Sequence, residues 1–255
     1  MTTNLTREQI SSYNKNGYVI VRGVFSSQEA TAWGKECKRL LRLGLAHKDN
    51  IRTTAYRLSE TMYVVDCFHP VIDISPVFNE LAHDERILEA VSTVCGEKML
   101  LFKDGLVYKM IGMKGYPIHQ DYSWWQAFPS DLVTAIISID GADAENGGVE
   151  FFPGYHDRLL STLGERRHMN EAEAWQIDFS AAELLETEPG DMILFSCLTP
   201  HRSGPNLSSR TRRQLYFTYS AARHGDLYDT QLQLFKEGLS SRYITDEEKE
   251  RIFFR

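Results

Sequence analysis

The chain has 255 residues, of which 42% are hydrophobic and 25% are charged, an ordinary composition for a globular protein. This composition excludes a collagen-like chain and an intrinsically disordered one. Acidic residues number 35 and basic residues 28, which gives a formal net charge of −7. An acidic chain is poorly suited to binding nucleic acid or an anionic membrane surface, so we expect neither partner.

The N-terminus and the cysteines predict a cytoplasmic protein. The first residues contain no basic stretch followed by an apolar one, and no apolar run approaches the ~20 residues that a membrane helix needs. The cysteines Cys37, Cys67, Cys95 and Cys197 are far apart and form no C-x-x-C pair. We therefore expect free thiols in a reducing compartment rather than disulfides or a zinc site.

Helices dominate the predicted elements before Met99. Thr6 and Gln9 form a capping box that starts the first helix. A short apolar strand over 18–21 follows, and a second helix is predicted from Ser26 towards Leu45. A third helix is predicted over 85–95. These helices are expected to support a second, larger structure and not to form a separate domain, because no linker follows them.

After Met99 the hydrophobic period changes to two, which is typical of strands. Glycine- and aspartate-containing turns separate the segments, a pattern that favours an antiparallel barrel or jelly roll. The tail after Gly225 is charged and helical in pattern, and we expect it to pack outside the barrel. The predicted strands are 99–110, 116–121, 132–140, 147–153, 183–188, 191–197 and 213–221.

The predicted fold is therefore mainly β with helical support, built on a double-stranded β-helix (a cupin-like jelly roll). We expect one domain over 1–255, in which residues 1–98 are mostly helical support, 99–223 form the jelly-roll core and 224–255 form a helical tail.

The motif H-x-D carries the first chemical information, but it occurs three times. Two copies have an ordinary interpretation as solvated loops: the first lies in a polar stretch at a helix end, and the last follows the final strand with no histidine after it. The middle copy stands at the start of the β region, next to aromatic residues. The three copies are His47-Lys48-Asp49, His119-Gln120-Asp121 and His224-Gly225-Asp226.

A metal site is predicted from the middle copy and one later histidine. Residues i and i+2 of a strand point to the same side, so His119 and Asp121 can both reach one ion. His201 follows 82 residues after His119, just past the predicted strand 191–197. Early and late strands of a jelly roll lie side by side, so this separation can close in space. Two histidines and one carboxylate suit Fe(II) and leave three positions open.

Arginines after His201 add a second site to this prediction. A 2-oxo acid can occupy two open positions on the iron and dioxygen the third. The far carboxylate of a dicarboxylate then needs a cation, and arginine binds carboxylates through two hydrogen bonds. Arg212 opens the next strand and can supply it. A solvated basic turn is the ordinary interpretation of Arg210, Arg212 and Arg213, but their position after His201 favours the binding role.

Together with several further motifs, the candidate metal ligands and Arg212 make the sequence resemble the phytanoyl-CoA dioxygenase family of iron- and 2-oxoglutarate-dependent oxygenases. The resemblance covers roughly residues 5–223. The motifs that carry it are His119-Gln120-Asp121, Asn146-Gly147-Gly148 with Pro153-Gly154-Tyr155-His156, Glu188-Pro189-Gly190-Asp191, and His201-x-Ser203 followed by Asn206 and Arg212.

The resemblance implies site residues one by one. His119, Asp121 and His201 match the iron ligands of the family. Arg212 matches the residue that pairs with the far carboxylate of 2-oxoglutarate, and Ser203 matches a hydroxyl that assists it.

Two lysines on one predicted strand are further candidates for the cosubstrate site. Lys103 and Lys109 are six residues apart and share a face. By analogy with the family that face points into the barrel, where either lysine can contact the cosubstrate. An exposed strand face is the alternative.

Aromatic residues after the H-x-D motif are candidates for the substrate pocket. Trp125 lies where the related ectoine hydroxylases place a tryptophan against substrate, and Tyr122 and Trp124 are its neighbours. Aromatic rings beside an iron can enclose a small cation. The alternative is that the tryptophans belong to the core.

The expected activity is hydroxylation of a C–H bond in a small polar metabolite, with Fe(II), 2-oxoglutarate and O₂ as cofactor and cosubstrates and with release of succinate and CO₂. An amino acid, an amine or an aminophosphonate is the expected substrate class. Two alternatives stay open: a metal-dependent jelly-roll enzyme that does not use 2-oxoglutarate, and a non-catalytic jelly-roll binding module. The sequence leaves the oligomeric state open.

Overall fold

The computed structural model describes residues 5–46, 53–57, 59 and 62–240. The first H-x-D copy, at His47 and Asp49, lies outside the described residues. No helix in the described ranges is long and apolar enough to span a membrane.

Helices form the N-terminal part, as the sequence predicts, and the cap at Thr6 has the expected capping box with Gln9. One short helix, over Pro76–Ala82, was not predicted. The helices are α1 (Arg7–Asn16), α2 (Ser27–Ala46), α3 (Pro76–Ala82), α4 (Glu85–Cys95), α5 (Glu171–Ala174) and α6 (Tyr228–Ser240).

Eleven strands are found among the described residues, and they form two antiparallel sheets. The larger sheet has the order β1-β9-β6-β11-β4-β3-β2 and the smaller one β5-β10-β7-β8. The strands are β1 (Tyr18–Val21), β2 (Thr53–Arg57), β3 (Tyr63–Phe68), β4 (Met99–Lys109), β5 (Tyr116–His119), β6 (Val133–Ser138), β7 (Val149–Phe151), β8 (Glu183–Leu184), β9 (Met192–Ser196), β10 (His201–Ser203) and β11 (Arg212–Ala221).

The two sheets face each other across an apolar layer. Ile136 of β6 and Phe195 of β9 pack there against Phe151 of β7. The opposite face of the larger sheet is covered by the N-terminal helices, through residues such as Leu215 and Leu40. This arrangement confirms the predicted double-stranded β-helix with helical support.

Two details of the strands were not predicted. Strands β2 and β3 lie within the region predicted to be mostly helical, and they extend the larger sheet because β3 pairs with β4. Strand β5 ends at His119, and Asp121–Trp124 form a 3₁₀ turn instead of continuing the strand.

The tail helix α6 packs against strand β4 of the larger sheet. Its first residue, Tyr228, donates a hydrogen bond of 2.7 Å to the buried carboxylate of Asp104 on β4. The other oxygen of Asp104 accepts hydrogen bonds from the backbone N–H groups of Val71 and Ile72. One buried carboxylate therefore ties α6 and the 71–72 loop to β4.

Candidate active site

The two histidines of the predicted triad lie directly opposite each other on neighbouring strands. His119 ends β5 and pairs in register with His201, which begins β10. Their ring centroids are 4.2 Å apart. The pairing of β5 with β10 thus brings together two residues that are far apart in the sequence, as expected for the early and late strands of a jelly roll.

Asp121 completes the group from the 3₁₀ turn that follows β5. Its Oδ1 atom lies 3.6 Å from His119 Nε2 and 3.9 Å from His201 Nε2. The backbone N–H of Tyr122 donates to the carbonyl of Cys197, 3.0 Å away, which holds this turn at the end of β9. The donor atoms of His119, Asp121 and His201 all lie within 4.8 Å of one another. Among the described residues, no other three His, Cys, Asp or Glu side chains come together in this way.

Gln120, between His119 and Asp121 in the sequence, is buried, and its side chain forms hydrogen bonds with neighbouring loops. Its side-chain nitrogen donates to the carbonyls of Arg158 and Leu198, and its oxygen accepts from the N–H of Leu160 at 2.7 Å. Gln120 therefore fixes the turn against two loops, and this contact orients His119 and Asp121.

Backbone carbonyls orient both imidazole rings towards the centre of the group. His119 Nδ1 donates to the carbonyl of Pro117 at 2.8 Å, and His201 Nδ1 donates to the carbonyl of Thr199 at 3.0 Å. Each Nε2 atom is then left with a lone pair that faces Asp121.

The charges of the group also suit a metal. Burial, together with His119, lowers the pKa of His201 to about 4, so its ring is neutral at pH 7. Burial alone raises the pKa of Asp121, but the neighbouring His119, His201 and Lys103 side chains hold it below its ordinary value. Two imidazoles and one carboxylate on one side fit the donor set of a non-haem Fe(II) site.

A second polar site lies deeper in the barrel, around two buried cations. Arg212 is 1% exposed and Lys109 is 0% exposed. Strands β11 and β4 pair these two residues directly. No carboxylate within the described part of the chain forms an ion pair with either of them. The Nε atom of Arg212 is buried and has no hydrogen-bond partner among the described residues, so the site offers a free donor beside two cations.

Ser203 and Gly147 complete the surroundings of Lys109. Lys109 Nζ donates to Ser203 Oγ at 2.6 Å and also to the carbonyl of Gly204. Gly147 has a φ of +77°, and a Cβ atom there would lie 2.8 Å from Lys109 Cδ. A side chain at position 147 would therefore displace the lysine from this site.

The two lysines of β4 lie at different sites. Lys103 is not part of the Arg212 site: its Nζ atom lies 5.7 Å from the ring centroid of Trp125. Lys103 lines a separate cavity of about 330 Å³, whose wall also includes Asp121. The cavity therefore opens onto the candidate metal centre.

Aromatic residues and α6 form most of this cavity. The predicted substrate residues Trp124 and Trp125 both line it, whereas the hydroxyl of Tyr122 donates to the carbonyl of Phe128 and Tyr122 is not on its wall. The remaining wall residues are Ala127, Phe128, Arg166, Gln231, Leu234 and Phe235.

Three residues near these sites were missed in the sequence. Gln214 lies two positions after Arg212 on β11, and the strand period could have revealed it. His168 lies in a loop, with its ring centroid 5.4 Å from that of His119, and no sequence pattern marks it. Gln231 lies on α6, and no sequence pattern marks it as a cavity residue.

Comparison with known proteins identifies the family. A family model described as phytanoyl-CoA dioxygenase matches residues 13–214. The chain belongs to the phytanoyl-CoA dioxygenase family. It is an iron(II)- and 2-oxoglutarate-dependent dioxygenase, as the resemblance implies.

Relatives in this family cover most of the chain. A methylphosphonate hydroxylase of Gimesia maris is 30% identical over 237 residues, which are 89% of this chain and 85% of the relative. A 2-aminoethylphosphonate dioxygenase of an uncultured bacterium is 27% identical, with 91% and 87% covered. The solved apo structure of EctD from S. alaskensis has a TM-score of 0.73 at 21% identity, covering 86% of this chain and 78% of EctD. That likeness concerns the fold.

The two tryptophans are expected to respond differently to truncation. Trp125 is 9% exposed and packs edge-on against Phe102, with centroids 5.6 Å apart. We expect Trp125→Ala to lower the free energy of unfolding by roughly 3–5 kcal/mol, the usual cost of truncating a buried tryptophan. Trp124 is more exposed, and Trp124→Ala should keep the melting temperature while less hydroxylated product forms per succinate. Thermal melts beside the product-to-succinate ratio measure both effects. An unchanged ratio in Trp124→Ala contradicts its place in the pocket.

Proposed function

We propose that His119, Asp121 and His201 hold the iron, and that Arg212 and Lys109, with Ser203, bind the far carboxylate of 2-oxoglutarate. We further propose that the cavity beside Asp121 takes a small organophosphonate, which the enzyme hydroxylates at a C–H bond. The observation that carries the proposal is the presence of two separate cationic sites flanking one His-Asp-His group.

The cosubstrate assignment rests on unbalanced buried charge. Burying a cation without a counter-charge is unfavourable, and burial lowers the pKa of the Arg212 guanidinium. A carboxylate bound between Arg212 and Lys109 restores the balance and satisfies the unpartnered Arg212 Nε. This requirement favours a dicarboxylate cosubstrate over the alternative of a metal enzyme without 2-oxoglutarate. A binding module has no use for both this site and three metal ligands.

When iron, 2-oxoglutarate and dioxygen are bound, they supply the oxidising power that hydroxylates a C–H bond. The residues of the chain position the reactants. The carbonyls of Pro117 and Thr199 fix the histidine rings, and Trp124, Trp125 and α6 restrict access of water to the cavity.

The substrate assignment rests on the charge and size of the cavity. Lys103 and Arg166 bring two cations to a volume of about 330 Å³, and no described carboxylate forms an ion pair with either. A phosphonate is a compact anion that such cations bind well. The two relatives described above act, by their names, on methylphosphonate and 2-aminoethylphosphonate. Among the substrate classes expected from the sequence, the aminophosphonate agrees with these features.

A substrate panel tests the proposal. Iron-loaded enzyme is supplied with 2-oxoglutarate and either 2-aminoethylphosphonate, methylphosphonate or β-alanine, the carboxylate counterpart of the first compound. We expect succinate above the uncoupled background, together with hydroxylated product, for a phosphonate and not for β-alanine. Turnover without 2-oxoglutarate contradicts the cosubstrate assignment, and equal turnover of β-alanine contradicts the phosphonate assignment.

Binding of 2-oxoglutarate should weaken as the pH rises above 7. Burial and the charge of Arg212 lower the pKa of Lys109 to about 7, so the lysine loses its charge above that pH in the free enzyme. A bound carboxylate raises this pKa again, and binding therefore takes up a proton. Between the two pKa values the Kd should rise about tenfold per pH unit. Anaerobic calorimetry of the metal-loaded enzyme, in buffers with different ionisation heats, measures this proton uptake.

Matched lysine variants control that experiment. Lys109→Met should bind 2-oxoglutarate weakly and without proton uptake, whereas Lys103→Met should keep the wild-type pH dependence. Proton uptake that persists in Lys109→Met means that another group titrates.

The cysteines support a cytoplasmic location for this activity. Cys37, Cys95 and Cys197 are free thiols, a state that a reducing compartment maintains.

A further inference from the structure

Gln231 of α6 is the polar residue on the cavity wall that the functions assigned so far leave unused. It is 5% exposed and lines the cavity beside Lys103 and Asp121. Its Oε1 atom is buried and accepts no hydrogen bond from any described residue. Buried side-chain oxygens in folded proteins nearly always have a donor, and none of the described residues supplies one to this amide.

The position of Gln231 is fixed by contacts on both sides of it along α6. Tyr228 is bonded to the buried Asp104, and the ring of Phe235 lies 4.4 Å from that of His69. These two contacts hold the helix against β4 and its neighbouring loop. The side chain of Gln231 is therefore presented to the cavity by an anchored element.

The residues around Gln231 give the cavity both cationic and aromatic walls. Lys103 and Arg166 supply positive charge that suits an anion, whereas Trp124, Phe128 and Phe235 supply aromatic rings. Rings of this kind stabilise an ammonium group through their faces, and an amide oxygen accepts its hydrogen bonds. Together, these features suit a substrate that carries an anion and a hydrogen-bond donor on one short chain.

We propose that Gln231 is a specificity-determining residue that accepts a hydrogen bond from the ammonium group of an aminoalkylphosphonate, while Lys103 binds the phosphonate. This assignment rests on the proposed function, because it requires a phosphonate in the cavity. It adds that the enzyme selects amino-substituted phosphonates over alkylphosphonates of the same size. A site built to bond a polar group rejects an analogue that lacks it, because the buried partner is then left unpaired.

The test compares 2-aminoethylphosphonate with propylphosphonate, which replaces the ammonium group by a methyl group. We expect the wild type to favour the amino compound by at least about tenfold in kcat/KM. In Gln231→Leu this preference should fall to near unity, mainly through a higher KM for the amino compound.

Two further variants keep the test decisive. Gln233→Leu makes the same change on the same helix, at an exposed position where the amide bonds only to Glu237 among the described residues, and it should behave as wild type. Gln231→Glu preserves the shape of the side chain and adds a negative charge. It should keep or increase the preference for the amino compound and weaken turnover of propylphosphonate.

The outcomes separate this inference from the proposed function. If the wild type hydroxylates no phosphonate, the proposed function fails and this assignment fails with it. If the wild type hydroxylates phosphonates but Gln231→Leu matches Gln233→Leu, only the role of Gln231 is overturned. A wild-type preference for propylphosphonate likewise overturns the hydrogen bond to an ammonium group and leaves the phosphonate assignment intact.

Discussion

We expect His201→Ala to lose tight Fe(II) binding and all coupled turnover while the protein stays folded. The variant keeps His119 and Asp121 but removes the donor that faces them from β10, and two remaining donors hold Fe(II) weakly. Titration of the anaerobic protein with Fe(II) and 2-oxoglutarate should produce a weak visible charge-transfer band in the wild type only. Circular dichroism of both proteins checks that the fold is kept.

His168→Ala is the matched control for this loss. Its ring also lies beside His119, but His168 is not one of the three donors that meet around Asp121. The control should keep iron binding and the band. If His201→Ala kept the band and His168→Ala lost it, the third ligand would be His168.

The second large effect is expected at Arg212. Removing one partner of a buried, hydrogen-bonded charge pair costs about 2–5 kcal/mol, which corresponds to a rise of roughly 30- to 3,000-fold in the KM for 2-oxoglutarate. Arg212→Ala should show this rise with little change in iron affinity. Steady-state kinetics in 2-oxoglutarate, beside the Fe(II) titration, measures the two quantities separately.

Arg210→Ala is the control within the same cluster of arginines. Arg210 is exposed and paired with Asp143 at the surface, so its removal should leave the KM for 2-oxoglutarate nearly unchanged. A larger effect at Arg210 than at Arg212 refutes the assignment of the buried residue to the far carboxylate.

The family and the fold class were predictable because several independent motifs agreed. The metal group shows where the physical reasoning was incomplete. Asp121 was expected to share a strand face with His119, but β5 ends at His119 and Asp121 reaches the centre from a 3₁₀ turn. The spacing identified three residues that the structure brings together, whereas the backbone geometry depended on Gln120 and on loops far away in sequence.

The lysines of β4 show a second limit of strand periodicity. Lys103 and Lys109 were both candidates for the cosubstrate site on a shared strand face, with an exposed face as the alternative. Six residues of strand span roughly 20 Å, so one lysine reaches Ser203 and the other reaches Trp125. Periodicity predicts the face of a residue and not its distance from a site.

The role of α6 was not predictable from its own sequence. The helix contributes Gln231 and Phe235 to the cavity, but its pattern says only that one side is apolar. Its position depends on Asp104, a carboxylate buried on a strand 124 residues earlier than Tyr228. Long-range contacts of this kind leave no local signal. The same holds for β10, whose three residues are too few to show a period.

The direct pairing of His119 with His201 has a consequence for the folding equilibrium of the protein. β10 is an inner strand of the smaller sheet, since it pairs with β5 on one side and β7 on the other. In the proposed iron site, an ion bound by both histidines would join β5 to β10 across this short ladder, and it would bind the native chain far better than the unfolded one. By thermodynamic linkage, each tenfold rise in free iron above its Kd would then add about 1.4 kcal/mol to the native state. On this proposal, iron supply sets the resistance of the protein to unfolding as well as its rate of turnover.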